Sequence, residues 1–253
     1  MNRIYSIPIK EHLSKRKVIS IETIEILISF GLTRQEANIY MLLFAEGELN
    51  GYEVSKLTGI SRSNAYNALA GLVEKGAAYI IEGNAILYTP VNIEEFCENK
   101  IRYMQKSKTK LIQSIPDRRK ESDGYITIKS EKHIVDKMRN MLQEAKERVY
   151  LSLSNTRLEE VLSEIEELRD RGIKIVIITN PPYKFEGAKV YHHSDKKDDQ
   201  IRLIVDSKDV LTGLIRDVNN STCLYSSNNN LVEVFKEALA NEIKILEINK
   251  EDK

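Results

Sequence analysis

Hydrophobic positions recur at helical spacing in four short runs between Ile21 and Val73, and the pattern then changes to strand-like segments. Ile21, Ile24, Leu27 and Ile28 make the first run, ended by Gly31. Thr33 and Glu36 form a capping box for a second helix, with Ala37, Tyr40, Met41 and Phe44 expected inward and Gly47 at its end. Asn50 and Glu53 open a third helix in the same way. Val54 and Leu57 supply its apolar stripe, Gly59 breaks it, and Ile60 is expected to drop beneath the turn. Ser61 caps a fourth helix, in which Ala65, Ala68, Leu69, Leu72 and Val73 share one face. At about 100° per residue, Ser63 and Asn67 point away from that face, Asn64 and Tyr66 flank them, and Arg62 lies in the first turn. Ala70 and Gly71 continue the outer face with small residues, which would let the helix lie close to a partner surface. Around Glu82-Gly83-Asn84, residues 79–87 read as two short strands joined by a turn.

Helix, tight turn, helix and hairpin are the order of a winged helix-turn-helix. The residue chemistry suits a reader of double-stranded DNA: Asn can hydrogen-bond base edges, Arg can bridge guanine or phosphate, and Ser can do either. A polar outer face is also the ordinary state of any surface helix. Order and spacing, rather than composition, therefore carry the DNA reading. The alternative is a protein-interaction adaptor built on the same winged scaffold, which predicts no salt-dependent DNA binding.

Asn92, with Glu95 three residues on, caps the next helix. Its Cys97, Ile101, Met104, Lys108, Leu111 and Ile115 alternate spacings of four and three, a heptad seam. Dimerisation is the expected role, because two-fold half-sites on DNA need a two-fold protein. A linker helix folded onto its own domain is the other reading. Pro116 stops the helix, and the charged segment 117–124 reads as a linker.

Strand and helix patterns alternate beyond it. Tyr125–Ile128 reads as a strand, and Ile134, Met138, Met141, Leu142 and Ala145 stripe a helix. Val149–Leu153 is a strand. Leu158, Val161, Leu162, Ile165 and Leu168 stripe one further helix, closed by Gly172. Ile173–Thr179 is a β-branched run typical of a buried strand. Residues 180–199 read as a loop, followed by strands near 201–206, 209–215 and 221–226. A final helix carries Leu231, Val234, Phe235, Ala238 and Ile245.

Composition narrows the class without changing this picture. The 253 residues carry 38 basic and 38 acidic side chains, which argues against a broadly basic nucleic-acid coat but not against a local basic patch. Cys97 and Cys223 lie far apart, so neither a disulfide framework nor a zinc site is expected, and a reducing cytoplasm fits. No cofactor motif is present. No apolar run approaches the roughly 18 residues of a membrane span. The division expected is a basic N-terminal arm at 1–20, a winged domain at 21–92, a dimerisation or linker helix at 93–116, and a regulatory α/β domain at 117–253. In class this is an α+β multidomain chain.

The runs GLTRQEANIYMLL and GYEVSKLTGISRSNAYNALAGLVEKGAA, with a hairpin leading into LYTPVN, resemble the TrmB family of prokaryotic transcriptional regulators over roughly residues 21 to 115. The resemblance implies a sequence-specific, dimeric DNA-binding regulator. It puts Ser61, Arg62, Ser63, Asn64 and Asn67 where the family's recognition helix meets the major groove, and Tyr66 at a position of packing or contact. Gly83 and Asn84 would lie at the wing tip, near backbone or minor groove. The wing departs from the pattern in carrying Glu82 where a basic residue would help. Phosphate contacts are therefore assigned to Lys56, Arg62 and Lys75 and to the helix that follows.

In that family a phospholipase D-like domain often follows the winged domain, and IRLIVDSKDVLTGLI with LYSSN resembles the end of that fold. The hydrolase form needs His-x-Lys-x4-Asp, the His as nucleophile and the Lys to steady phosphate charge. With Asp206 as the last residue of the motif, the other two positions fall on Asp199 and Ile201, so no enzyme is expected and Asp206 reads as a turn residue. The 180–199 loop reads first as a mobile surface loop; the alternative is contact with an effector of open class through Tyr183, Phe185, Tyr191, His192 and His193. Adjacent histidines without a third ligand do not make a metal site.

Overall fold

A computed structural model describes residues 21–115, 124–194, 196–216 and 220–251. The expected N-terminal arm and nearly all of the expected linker lie outside the described residues. Contacts divide the chain into two units, Met1–Asp117 and Arg118–Lys253.

The first unit runs α1 (Ile21–Ser29), α2 (Arg34–Glu46), α3 (Gly51–Thr58), α4 (Arg62–Glu74), β1 (Ala78–Ile81), β2 (Leu87–Pro90) and α5 (Ile93–Ser114). Caps set the boundaries. Reciprocal capping boxes, Thr33 with Glu36 and Asn50 with Glu53, open α2 and α3, and the Ser61 hydroxyl accepts from the Asn64 N–H at the start of α4. Gly59 ends α3 at φ 75°, a backbone that a side chain would strain. The chain before α3 also joins the wing: Leu49 and Tyr88 exchange backbone hydrogen bonds of 3.1 and 2.8 Å.

Packing rotates two faces away from the sequence reading. In α2, Ile39 and Leu43 are buried beside Ala37 and Tyr40, Met41 is half-buried, and Phe44 is 57% exposed. The cause is contact on several sides, with α1, α4 and β2, and a hydrogen bond from the Tyr40 hydroxyl to the Val91 carbonyl at 2.8 Å. Leu57 was expected inward, yet it is exposed. The short α3 reaches the core chiefly through Val54.

The second unit holds β3 (Ile126–Lys129), α6 (Glu131–Glu144), β4 (Arg148–Ser152), α7 (Asn155–Glu159), α8 (Leu162–Asp170), β5 (Lys174–Thr179), β6 (Ala188–His192), β7 (Gln200–Val205), β8 (Asp209–Leu214), β9 (Thr222–Ser226) and α9 (Asn229–Glu251). Its seven strands lie in the order β3-β9-β8-β7-β4-β5-β6. The pairs β4–β5 and β5–β6 are parallel and the rest antiparallel. Alternation puts Val149, Leu151, Ile175, Ile177 and Leu203 on one face with residues of α6 and α8. Val176, Ile178, Ile204 and Val210 lie on the other face with Val232 and Leu239 of α9.

Three expectations are corrected here. The single helix through Leu158–Leu168 is two, because Val161 leaves helical geometry (φ −123°) while remaining fully buried, and Leu162 turns outward. The loop after β5 contains β6, a short edge strand whose alternation is diluted by charged neighbours. In α9, Val232, Phe235, Leu239, Ile243 and Leu246 face the sheet, whereas Val234, Ala238 and Ile245 are exposed. The inward face of α9 also carries Glu242, paired with Arg202 of β7 at 2.8 Å, which apolar periodicity does not register.

Asp206 is more than a turn residue. From the β7–β8 turn (φ 50°) its carboxylate accepts the backbone N–H groups of Lys146, Glu147 and Arg148 at 2.8, 2.8 and 2.9 Å. Burial alone would raise its pKa, but these three donors, helped by Lys208, hold it below the ordinary value near 3.8.

Candidate nucleic-acid interface

On α4 the core side and the outer side separate cleanly. Ala65, Ala68, Leu69 and Leu72 are buried, while Arg62, Ser63, Asn64, Tyr66 and Asn67 are exposed. Among the described residues, Ser63, Asn64 and Asn67 make no side-chain hydrogen bond. Their polar atoms are left to water and are available to a partner.

Two residues that the sequence reading did not single out shape this face. The Arg62 guanidinium lies over the Tyr52 ring at 4.7 Å, so a residue of α3 steadies the first-turn arginine of α4. Gly51 faces the Tyr66 ring so closely that an added Cβ would collide with it. Gly51 and Tyr52 sit in the first turn of α3, and a signal for them existed in the GY dipeptide after the Asn50 cap. Lys56 is exposed on α3, and Gly83 and Asn84 are exposed in the turn between β1 and β2.

Lys75 departs from its expected role. Its ammonium is 2.6 Å from the carboxylate of Glu36, a residue only 6% exposed. Burial would raise the pKa of Glu36, but hydrogen bonds from Lys75 and Thr33 lower it. Lys75 therefore holds α4 to the start of α2. Gly71 belongs to the same contact, since an added Cβ would meet the Glu36 carboxylate, so it lies at a helix–helix approach and not on the outer face.

Along α5, Ile101, Met104, Leu111 and Ile115 are 44–64% exposed, with Tyr103 and Ile112 beside them. Cys97 differs. It packs against its own domain next to the buried Phe96, whose ring lies 6.2 Å from that of Tyr40. The exposed seam thus begins at Ile101, because the first turn of α5 serves as a lid on the winged core.

The five residues named for an effector are not brought together. Tyr183 and Phe185 pack on the sheet face that carries α6 and α8, and Tyr191 packs on the opposite face, its hydroxyl 2.7 Å from Glu247 of α9. His192 Nε2 is paired with the Tyr183 carbonyl at 2.8 Å. His193 alone has a buried ring nitrogen, Nδ1, without a partner.

Comparison with known proteins decides the family. The profile described as "Sugar-specific transcriptional regulator TrmB" matches residues 27–94, and that described as "Transcriptional regulator TrmB, EBD N-terminal subdomain" matches 124–241. The chain belongs to the TrmB family. As a TrmB-family chain it is a DNA-binding transcriptional regulator, with the winged domain and the mixed-sheet domain each matched by its own profile. YrhO of Bacillus subtilis (strain 168) is 27% identical over 241 residues, 90% of this chain and 86% of YrhO. The HTH-type sugar sensing transcriptional regulator TrmBL1 of Pyrococcus furiosus is 26% identical over 166 residues, 63% of this chain and 48% of TrmBL1. Among solved structures, the archaeal chromatin protein TrmBL2 is similar at TM-score 0.42 and 21% identity, over 88% of this chain and 97% of that one. The phospholipase D family member Nuc from Salmonella typhimurium is similar at TM-score 0.34 and 11% identity, over 47% of this chain and 92% of Nuc. Among the described residues, no helix is long and apolar enough to cross a membrane.

Proposed function

We propose that this regulator binds its operator as a homodimer, with α4 of each protomer in successive major grooves. Ser61, Arg62, Ser63, Asn64 and Asn67 would meet bases and phosphates there. Tyr66 borders that face, Lys56 adds phosphate affinity, and Gly83 and Asn84 of the wing approach the adjacent backbone or minor groove. The observation that carries the reading is the exposed polar row of α4, backed by a closed apolar core and steadied by Tyr52 under Arg62. Pairing of α5 through Ile101, Met104, Leu111 and Ile115 sets the distance between half-sites.

The C-terminal sheet domain senses an effector and biases that distance when occupied. It is not a phosphodiesterase: Asp199 and Ile201 stand where His and Lys would be needed, and Asp199 is engaged with Arg216 at 2.8 Å. Reading chromosomal DNA in a prokaryotic cell makes the cytoplasm its place of action. Sedimentation tests the assembly. Wild type is expected at twice the 29.1 kDa chain mass, and Leu111→Asp at the chain mass with weaker operator binding. A wild type that stays monomeric on operator DNA would overturn the dimer.

A further inference from the structure

Three side-chain polar atoms among the described residues are buried without a partner: Ser154 Oγ, Asn180 Oδ1 and His193 Nδ1. All three belong to one place, just past the carboxyl ends of the parallel strands β4, β5 and β6. Backbone bonds fix that neighbourhood, from Leu153 N–H to the Ile178 carbonyl (3.1 Å) and from His193 N–H to the Thr179 carbonyl (2.8 Å). Lys196 enters the same cluster. It is 8% exposed, its Nζ donates to Ser152 Oγ at 2.5 Å, and its carbonyl accepts from Asn180 Nδ2 at 3.0 Å. Among the described residues its ammonium has no carboxylate partner within ion-pair distance. Burial, and after it the charge of Arg202, lowers its pKa to about 8, with Glu242 opposing, so it remains charged at neutral pH.

A cluster of this kind is out of place as mere core. Buried polar groups in folded proteins are satisfied almost without exception, and a half-satisfied network is worse than an apolar one. Ser154 precedes α7, yet its hydroxyl makes no cap bond. In open α/β sheets, ligands sit outside the carboxyl ends of the strands, which is where the unpaired atoms collect.

We propose that this cluster binds a small oxyanion that also carries hydroxyl groups, a carboxylate or phosphate ester of a polyol. Lys196 pairs with the anion. Asn180 Oδ1 can only accept, so it requires a donor such as a ligand hydroxyl, and Ser154 Oγ and His193 Nδ1 can serve in either sense. This deepens the effector-sensing reading and rests on it only for the link to DNA.

The test is calorimetric titration and thermal denaturation of the full chain with glycerol 3-phosphate and glycerate, beside inorganic phosphate and uncharged glycerol. At least one hydroxylated anion is expected to bind in the millimolar range or tighter and to raise Tm, about tenfold more tightly than phosphate, with glycerol inert. Lys196→Gln should weaken that binding by about tenfold or more. Ser154→Ala separates the proposal from a structural role: it should weaken ligand binding yet leave the Tm of the free protein unchanged or higher, since it removes an unpaired buried hydroxyl. Absence of binding by every probe up to about 10 mM, or equal binding by phosphate and its hydroxylated ester, would overturn the site. Binding that Lys196→Gln and Ser154→Ala leave untouched would overturn it too. Binding that follows these variants but leaves operator affinity unchanged upholds the site and removes the sensing reading instead.

Discussion

The outer face of α4 and the strand ends beside Lys196 are both polar, and the two handle that polarity in opposite ways. On α4, Ser63, Asn64 and Asn67 are exposed, so in the free protein water satisfies them and no desolvation cost is incurred until DNA arrives. Beside β4, β5 and β6, single atoms of Ser154, Asn180 and His193 are buried with no partner inside the fold, although Asn180 and His193 are themselves only partly buried. An exposed row suits a large charged partner that supplies its own electrostatic attraction and is read by many weak contacts. A buried, incomplete cluster suits a small ligand that must be enclosed to be held. The same distinction sorts charged groups elsewhere. Lys56 and Arg62 face solvent, whereas Lys75 and Asp206 are committed to partners within the fold.

That sorting can be broken most forcefully at the committed groups. Asp206→Ala removes the acceptor of three backbone N–H groups and should cost about 4 kcal/mol of stability, read by urea denaturation. The pH dependence carries the same signature. Because the folded pKa of Asp206 lies below its ordinary value, its contribution is complete above about pH 4 and is lost as pH falls through the lowered value, a loss absent in the variant. Lys75→Met leaves the buried Glu36 carboxylate without its cation and should cost about 3 kcal/mol of stability, with operator affinity of the folded protein unchanged. If Lys75→Met instead weakened DNA binding and spared stability, the division between committed and free cations would fail at that residue. Gly51→Ala, which drives a methyl into the Tyr66 ring, should cost about 1–2 kcal/mol of stability and regain most of it with Tyr66→Ala. The smallest effect is at the surface. Lys56→Ala should lower affinity for all duplexes alike and reduce the salt slope by about one.

Legibility followed the same physics. Caps and apolar spacing located α2, α3 and α4 because their signals are local: a side-chain oxygen three residues from its donor, a Gly at positive φ. The polar row of α4 was legible for the same reason. What escaped depended on distant partners. Lys75 looks like any exposed lysine until Glu36, 39 positions earlier, is seen beneath it. Tyr52 gains meaning only when Arg62 folds over it. Val161 interrupts an unbroken apolar stripe because its burial in three dimensions outweighs helical continuity. The unpaired atoms of Ser154, Asn180 and His193 come from three separate strand ends, and no spacing in the sequence links them.

The most direct test of the DNA-reading face is a fluorescence-anisotropy titration of the duplex that the protein itself selects from a random library, beside a scrambled duplex, with wild type and Arg62→Ala. Wild type should prefer the selected duplex by about 10³-fold or more. Arg62→Ala should lose about 1–3 kcal/mol on the selected duplex and much less on the scrambled one. Unchanged affinity for the selected duplex in Arg62→Ala would contradict the account, because the first turn of α4 would then lie outside the interface.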